Sequence, residues 1–151
     1  GESLTNLKSL NLSYCHSLTN LDALSGLTNL TSLNLASCSS LKSVDALSEL
    51  GNLTSLDLSK CEYLTSVDAL SGLTELKKLN LLGTDLTHSN ALSGLTELKE
   101  LNQSYCESLT NVDALSGLTN LTLLTLLKCT SLTEGQVDKL RQALPNCEII
   151  F

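Results

Sequence analysis

Six cysteines and two histidines are the residues of this 151-residue chain whose types could do chemistry. Five of the cysteines, Cys15, Cys38, Cys61, Cys106 and Cys129, hold one position of a recurring phrase. Disulfide bonding, zinc binding and nucleophilic catalysis are the chemistries to test. Equivalent positions of a stack point the same way on rungs ~4.8 Å apart, and parallel Cβ directions do not suit disulfide geometry. Zinc needs paired Cys or His at short spacing, and the sequence has no such pair. A nucleophilic thiol needs a base within hydrogen-bond reach. Cys106 with His88 is the conceivable pairing, whereas His16 faces outward when its neighbour Cys15 faces in. P-loop, H-E-x-x-H, G-x-S-x-G and dinucleotide fingerprints are all missing. The five thiols therefore read as a structural ladder, buried and bonded to loop backbone, and the histidines as surface residues. Cys147, off the ladder, reads as core of a C-terminal cap. No catalytic residue, metal or cofactor is expected.

The phrase that carries the ladder runs from Leu53 to Glu75, LTSLDLSKCEYLTSVDALSGLTE. Its first leucine recurs at Leu7, Leu30, Leu53, Leu76, Leu98 and Leu121, in steps of 23, 23, 23, 22 and 23 residues. Within each copy the pattern is L-x-x-L-x-L-x-x-C-x-x-L, followed by a tail close to D-A-L-S-G-L-T. Leu56-Asp57-Leu58 and Leu33-Asn34-Leu35 alternate at strand period, so the leucines point inward and the polar residues outward. Asp22, Asp45, Asp68 and Asp113 each precede Ala-Leu-Ser, where a carboxylate could accept from the free N–H groups of a short helical turn. Asn90 holds the matching place in the fourth copy. Gly26, Gly72, Gly94 and Gly117 read as turn ends. Glu49 replaces that glycine in the second copy, with Gly51 two positions later, so a different turn ending is expected there.

Six consecutive copies of this pattern, covering nearly the whole chain, resemble the leucine-rich repeat family. The Cys and the D-A-L-S-G-L tail look like its short-repeat bacterial and protozoan members. The resemblance implies an α/β fold: a right-handed solenoid bent into an arc or horseshoe. Its concave face is a parallel β-sheet used for binding, and its convex face carries short helical turns. One domain, 1–151, is expected. Hydrophobic residues make up 42% of it, mostly Leu, with no Trp or Met, as one recurring packing environment requires. Residues 133–151 read as its cap. Thr133-Glu134-Gly135-Gln136 looks like a capping box, and Val137, Leu140, Ala143 and Leu144 recur at helical spacing. Pro145 then ends the helix before a last strand, Cys147 to Phe151, and the helix is expected to cover the open end of the core. No matching N-terminal cap is read. The layer of Leu4, Leu7, Leu10 and Leu12 is thus an exposed edge and a candidate for self-association. The abrupt start at Gly1 leaves two origins open, a segment of a longer protein or an engineered, consensus-like array.

Departures from the phrase gather after Leu76. In the fourth copy Thr84 falls where Cys is expected, and its hydroxyl could serve the same backbone bond. In the fifth, Gln103 stands where an inward Leu belongs, which implies a register adjustment, a buried polar network or a functional insert. On the outward face the first three strands carry small, near-interchangeable residues such as Ser9, Asn11, Ser32, Asn34, Ser55 and Asp57. The later strands carry Lys78, Asn80 and Leu82, then Glu100 and Asn102, then Leu123, Thr125 and Leu127, with Tyr105 and Lys128 just before their cysteines. Leu82, Tyr105, Leu123 and Leu127 read as an apolar group rimmed by charge, as protein interfaces are built. Drift near a cap would give the same pattern.

Three functions are therefore carried forward. The first is a non-enzymatic module that binds a protein partner on the concave face. The second is a structural or engineered scaffold, and the third is a recognition segment of a larger protein whose catalytic domain lies elsewhere. A net charge of −7 with scattered basic residues argues against nucleic acid, and no apolar run is long enough to span a membrane. Sugar binding would want more aromatic platforms than Tyr14 and Tyr105. Sequons at Asn11, Asn29, Asn52, Asn102 and Asn120 follow from the phrase itself. Free stacked thiols and the lack of a signal-peptide pattern favour a cytoplasmic setting.

Overall fold

The computed structural model describes residues 5–151, so Leu4 lies outside the described residues. Seven strands form one parallel sheet in chain order: β1 (Ser9–Asn11), β2 (Ser32–Asn34), β3 (Ser55–Asp57), β4 (Lys78–Asn80), β5 (Glu100–Asn102), β6 (Leu123–Thr125) and β7 (Glu148–Ile150). Each strand is three residues long and centred on the inward apolar residue of its layer, Leu in β1 to β6 and Ile149 in β7. Registers are unbroken, Leu10 pairing with Leu33, then Leu56, Leu79, Leu101, Leu124 and Ile149. The inward leucines form one continuous core with the ladder residues and the leucines of the descending segments.

On the convex side short 3-10 turns run Asp22–Leu24, Asp45–Glu49, Asp68–Gly72, Asn90–Leu92 and Asp113–Gly117. Here the sequence expectation is corrected. The Asp or Asn is the first residue of the turn, and none of these turns has a side-chain cap. The acceptor comes instead from the residue two places earlier. Asn20 Oδ1, Ser43 Oγ, Ser66 Oγ, His88 Nδ1 and Asn111 Oδ1 accept the N–H of Asp22, Asp45, Asp68, Asn90 and Asp113, at 2.9–3.3 Å. The turn glycines are likewise not required. A Cβ on Gly26, Gly72 or Gly117 would meet nothing within 4 Å, and Gly94 would make ordinary contact. The second-copy turn with Glu49 spans the same five positions as those ending at Gly72 and Gly117.

The residue before each ladder position is the one that needs unusual backbone. Tyr14, Ser37, Lys60, Tyr105 and Lys128 have φ of 58–63°, and Gly83, in the same column, has φ 72°. This left-handed residue turns the chain off the sheet so that the next side chain points into the core, while in the first five repeats its own N–H still donates to the following repeat.

After β6 the helix α1 (Glu134–Ala143) begins with the full capping box: Gln136 N–H donates to Thr133 Oγ1, and Gln136 Oε1 accepts from Thr133 N–H. Val137, Leu140 and Leu144 are buried, but Ala143 is exposed, a correction to its core placement. The helix packs against the turn at Asp113–Gly117, in the place of a further convex turn. Closure of the last layer is therefore shared: α1 covers the convex half and β7 the concave half. At the other end Leu7, Leu10, Leu12, Cys15 and Leu18 are half-buried against the core.

Candidate functional site

The ladder thiols are free and reach across repeats. Cys38, Cys61, Cys106 and Cys129 donate to the carbonyls of Leu12, Leu35, Leu81 and Gln103, at 3.2, 3.3, 3.2 and 2.9 Å. Cys15 and Cys147 are half-buried. Burial pushes the Cys61 thiol up to about 12 and Cys129 to about 11, and raises Cys38, Cys106 and Cys147 as well. A thiol so held is protonated and a poor nucleophile. Thr84 is buried in the ladder but does not copy the cysteine bond. Its Oγ1 donates to Leu81 O of its own repeat at 2.8 Å and lies 3.4 Å from Cys106 Sγ. His88 is occupied as the acceptor at its convex turn, and His16 Nδ1 lies 3.0 Å from Ser39 Oγ. The structure does not bring Cys106 and His88 together as a pair. Among the described residues no group of three or more His, Cys, Asp or Glu is placed to hold a metal, and no helix is long and apolar enough to cross a membrane.

Gln103 resolves to a buried polar network, with no shift of register. It is 0% exposed, and its Oε1 accepts from Ser89 Oγ at 2.9 Å. Ser89 itself stands where other copies place Leu21, Val44, Val67 and Val112, so two departures in neighbouring repeats meet. Gln103 Nε2 has no partner.

The concave face holds an open depression of about 340 Å³ across β3 to β6. It is lined by Lys78, Asn80, Glu100, Asn102, Leu123 and Thr125 of the expected surface, and by Ser55 and Asp57, two of the small, near-interchangeable residues of the first three strands. Lys78 Nζ and Glu100 Oε2 pair across β4 and β5 at 3.4 Å, in the open, where such pairs contribute little to stability. Leu82, Tyr105, Leu127 and Lys128 lie outside the depression. Leu82 and Leu127 are not on neighbouring rungs, because the buried Ser104 stands between them and accepts the Leu127 N–H at 3.0 Å. The apolar group is therefore split. Tyr105 and Leu127 stay 52% and 42% exposed. Asn80 and Asn102 are half committed, each Oδ1 accepting the N–H two residues on.

A family model described as Leucine Rich repeats (2 copies) matches residues 5–49. Its repeat is the unit that the seven-stranded parallel sheet carries on to the C-terminus. Over residues 5–49 the chain matches the leucine-rich repeat family, and the fold of the whole array is that of a leucine-rich repeat solenoid. Among solved structures, the array is similar to an internalin (inlF) from Listeria monocytogenes, at TM-score 0.77 and 22% identity over 97% of this chain and 48% of that one. The functional domain of InlJ from the same organism, described as including a cysteine ladder, aligns at TM-score 0.69 and 24% identity over 97% and 34%. A TLR13–ssRNA13 complex aligns at 0.66 and 25% over 87% and 21%. The array thus spans about half the length of the internalin F chain, and less of the other two. These likenesses are of fold. No curated protein matches the sequence.

Proposed function

We propose that the leucine-rich repeat array is a non-enzymatic module that binds a protein partner on the concave face of β3 to β6. The observation that carries the reading is the depression there, whose lining includes Lys78, Glu100, Leu123 and Thr125, four residues that depart from the phrase. Between β1 and β3 the outward residues are small and nearly interchangeable. From β4 to β6 they become a Lys–Glu pair, a half-buried Leu123 and an exposed Leu127. Aliphatic anchors beside charge that can be re-paired are features of protein interfaces.

A photo-crosslinking residue at Thr125 tests this against the same residue at Ser9. Adducts specific to position 125, lost on Lys78→Glu with Leu127→Ala while the melting temperature holds, are the expected result. Equal labelling at both positions overturns the reading in favour of a scaffold. The TLR13–ssRNA13 complex raises RNA as a second partner class. The net charge of −7 and the pairing of Lys78 with Glu100 weigh against it, and no retention of single-stranded RNA is expected in a gel-shift titration.

A further inference from the structure

Successive layers of the array are tied by side-chain hydrogen bonds that reach back to carbonyls of the preceding layer. Around β2, Asn29 Nδ2 donates to Thr5 O, Thr31 Oγ1 to Lys8 O, and Cys38 Sγ to Leu12 O, at 2.6, 3.2 and 3.2 Å. Around β3, Asn52, Thr54 and Cys61 make the same three bonds at 2.9, 3.1 and 3.3 Å. Around β6, Asn120, Thr122 and Cys129 make them again. The β4–β5 junction lacks two of these but keeps the third, Cys106 to Leu81 O, and has further bonds: Ser108 to Asp85, Thr110 to Thr87 O, and Ser89 to Gln103.

The β3–β4 junction differs from all of these. Its three tether positions hold Glu75, Lys77 and Thr84. Glu75 and Lys77 make no such bond, and Thr84 turns to Leu81 O of its own repeat, leaving Leu58 O without the side-chain donor that its counterparts have. Among the described residues no side-chain hydrogen bond crosses from β3's repeat to β4's. A second observation falls at the same place. A cleft of about 150 Å³ separates residues 65–68 of the third repeat from Leu86, Thr87, His88 and Ala91 of the fourth. Backbone pairing and the leucine core remain continuous there.

In a stack where each repeat touches only its neighbours, stability is a sum of repeat and junction contributions. Opening then starts at the weakest junction. We propose that the array is two blocks, residues 5–75 and 76–151, joined at a weak seam between β3 and β4 that opens before any other junction between the six repeats. This does not depend on what the concave face binds, although the depression spans the seam.

Hydrogen exchange on the wild-type chain tests it. The N–H groups of Lys60, Lys77 and Asp85 cross the seam to Leu82 O, Thr54 O and Leu64 O. Ser37 and Thr54 are the equivalents of the first two one junction earlier, and Gly83 and Lys99 one junction later. The seam amides are expected to exchange about tenfold or more faster than these equivalents. The variant Glu75→Asn/Lys77→Thr/Thr84→Cys restores the three donors and is expected to slow them to their neighbours' rate. Equal exchange at all junctions of the wild type overturns the proposal, whether or not the variant folds. So does a folded variant in which the seam amides stay fast.

Discussion

Lys60 and Gly83 occupy the same place in neighbouring repeats and share a left-handed backbone, but only glycine adopts it without Cβ strain. Such a conformation costs an L-residue about 1–2 kcal/mol, set against about 0.5–1 kcal/mol for glycine's extra chain entropy. Lys60→Gly is therefore expected to raise stability by about 0.5 kcal/mol, and Gly83→Ala to lower it by about 1 kcal/mol, in urea titrations. A Cβ on Gly83 would sit 3.6 Å from Lys60 Cα, so the loss would come from conformation and not from a clash. The one glycine in that column was the trace of the turn visible in the sequence, and five larger residues there hid it. Gln103 was legible as an anomaly, but its partner was not, because Ser89 lies 14 residues away in a descending segment. The pair makes a second expectation. Gln103→Leu alone strands the Ser89 hydroxyl, whereas Gln103→Leu with Ser89→Val removes the orphaned amide too and is expected to stabilise by about 1–3 kcal/mol.

Among the elements, the short convex turns depend on their entry residues. Asn111→Ala removes the acceptor for Asp113 N–H and is expected to cost about 0.5–1 kcal/mol, more than Asp113→Ala. The reverse order in denaturation midpoints would restore the carboxylate to the capping role. In the sequence that role points to Asp, because Asp is the most regular polar residue of the tail. The true acceptor varies among Asn, Ser and His and so shows no pattern. The helix was better marked. Thr133 and Gln136 form their box as spaced, and Thr133→Ala is expected to cost about 1 kcal/mol and fray α1 first. Its position was not marked, since amphipathic spacing identifies a buried face without saying which neighbour buries it.

For the molecule as a whole, the column of protonated thiols couples stability to alkaline pH. An unfolded cysteine releases its proton near pH 8.5, whereas the folded chain holds those of Cys61 and Cys129 to about 12 and 11. Above the unfolded value the unfolded state binds fewer protons, so unfolding gains. This stability is expected in full below about pH 8.5 and to be lost as pH climbs toward 12. Urea midpoints from pH 7 to 11 read the decline directly. The overall architecture was legible because one packing problem is solved repeatedly with leucine. The seam was not, because the change from Asn-Leu-Thr to Glu-Leu-Lys looks like a harmless surface exchange until the carbonyls that Asn and Thr serve are known. The side chains of Asn11, Asn34, Asp57, Asn80 and Asn102 also form a row across the sheet, each with Oδ1 committed to the N–H two residues on. What is left over has a chemical sign. Four places retain an amide nitrogen that can only donate, and the third retains a carboxylate oxygen that can only accept. The concave face is a comb of like teeth with one reversed. On the function proposed above, a partner chain complementary to this row would offer acceptors along its length and a donor or cation opposite Asp57.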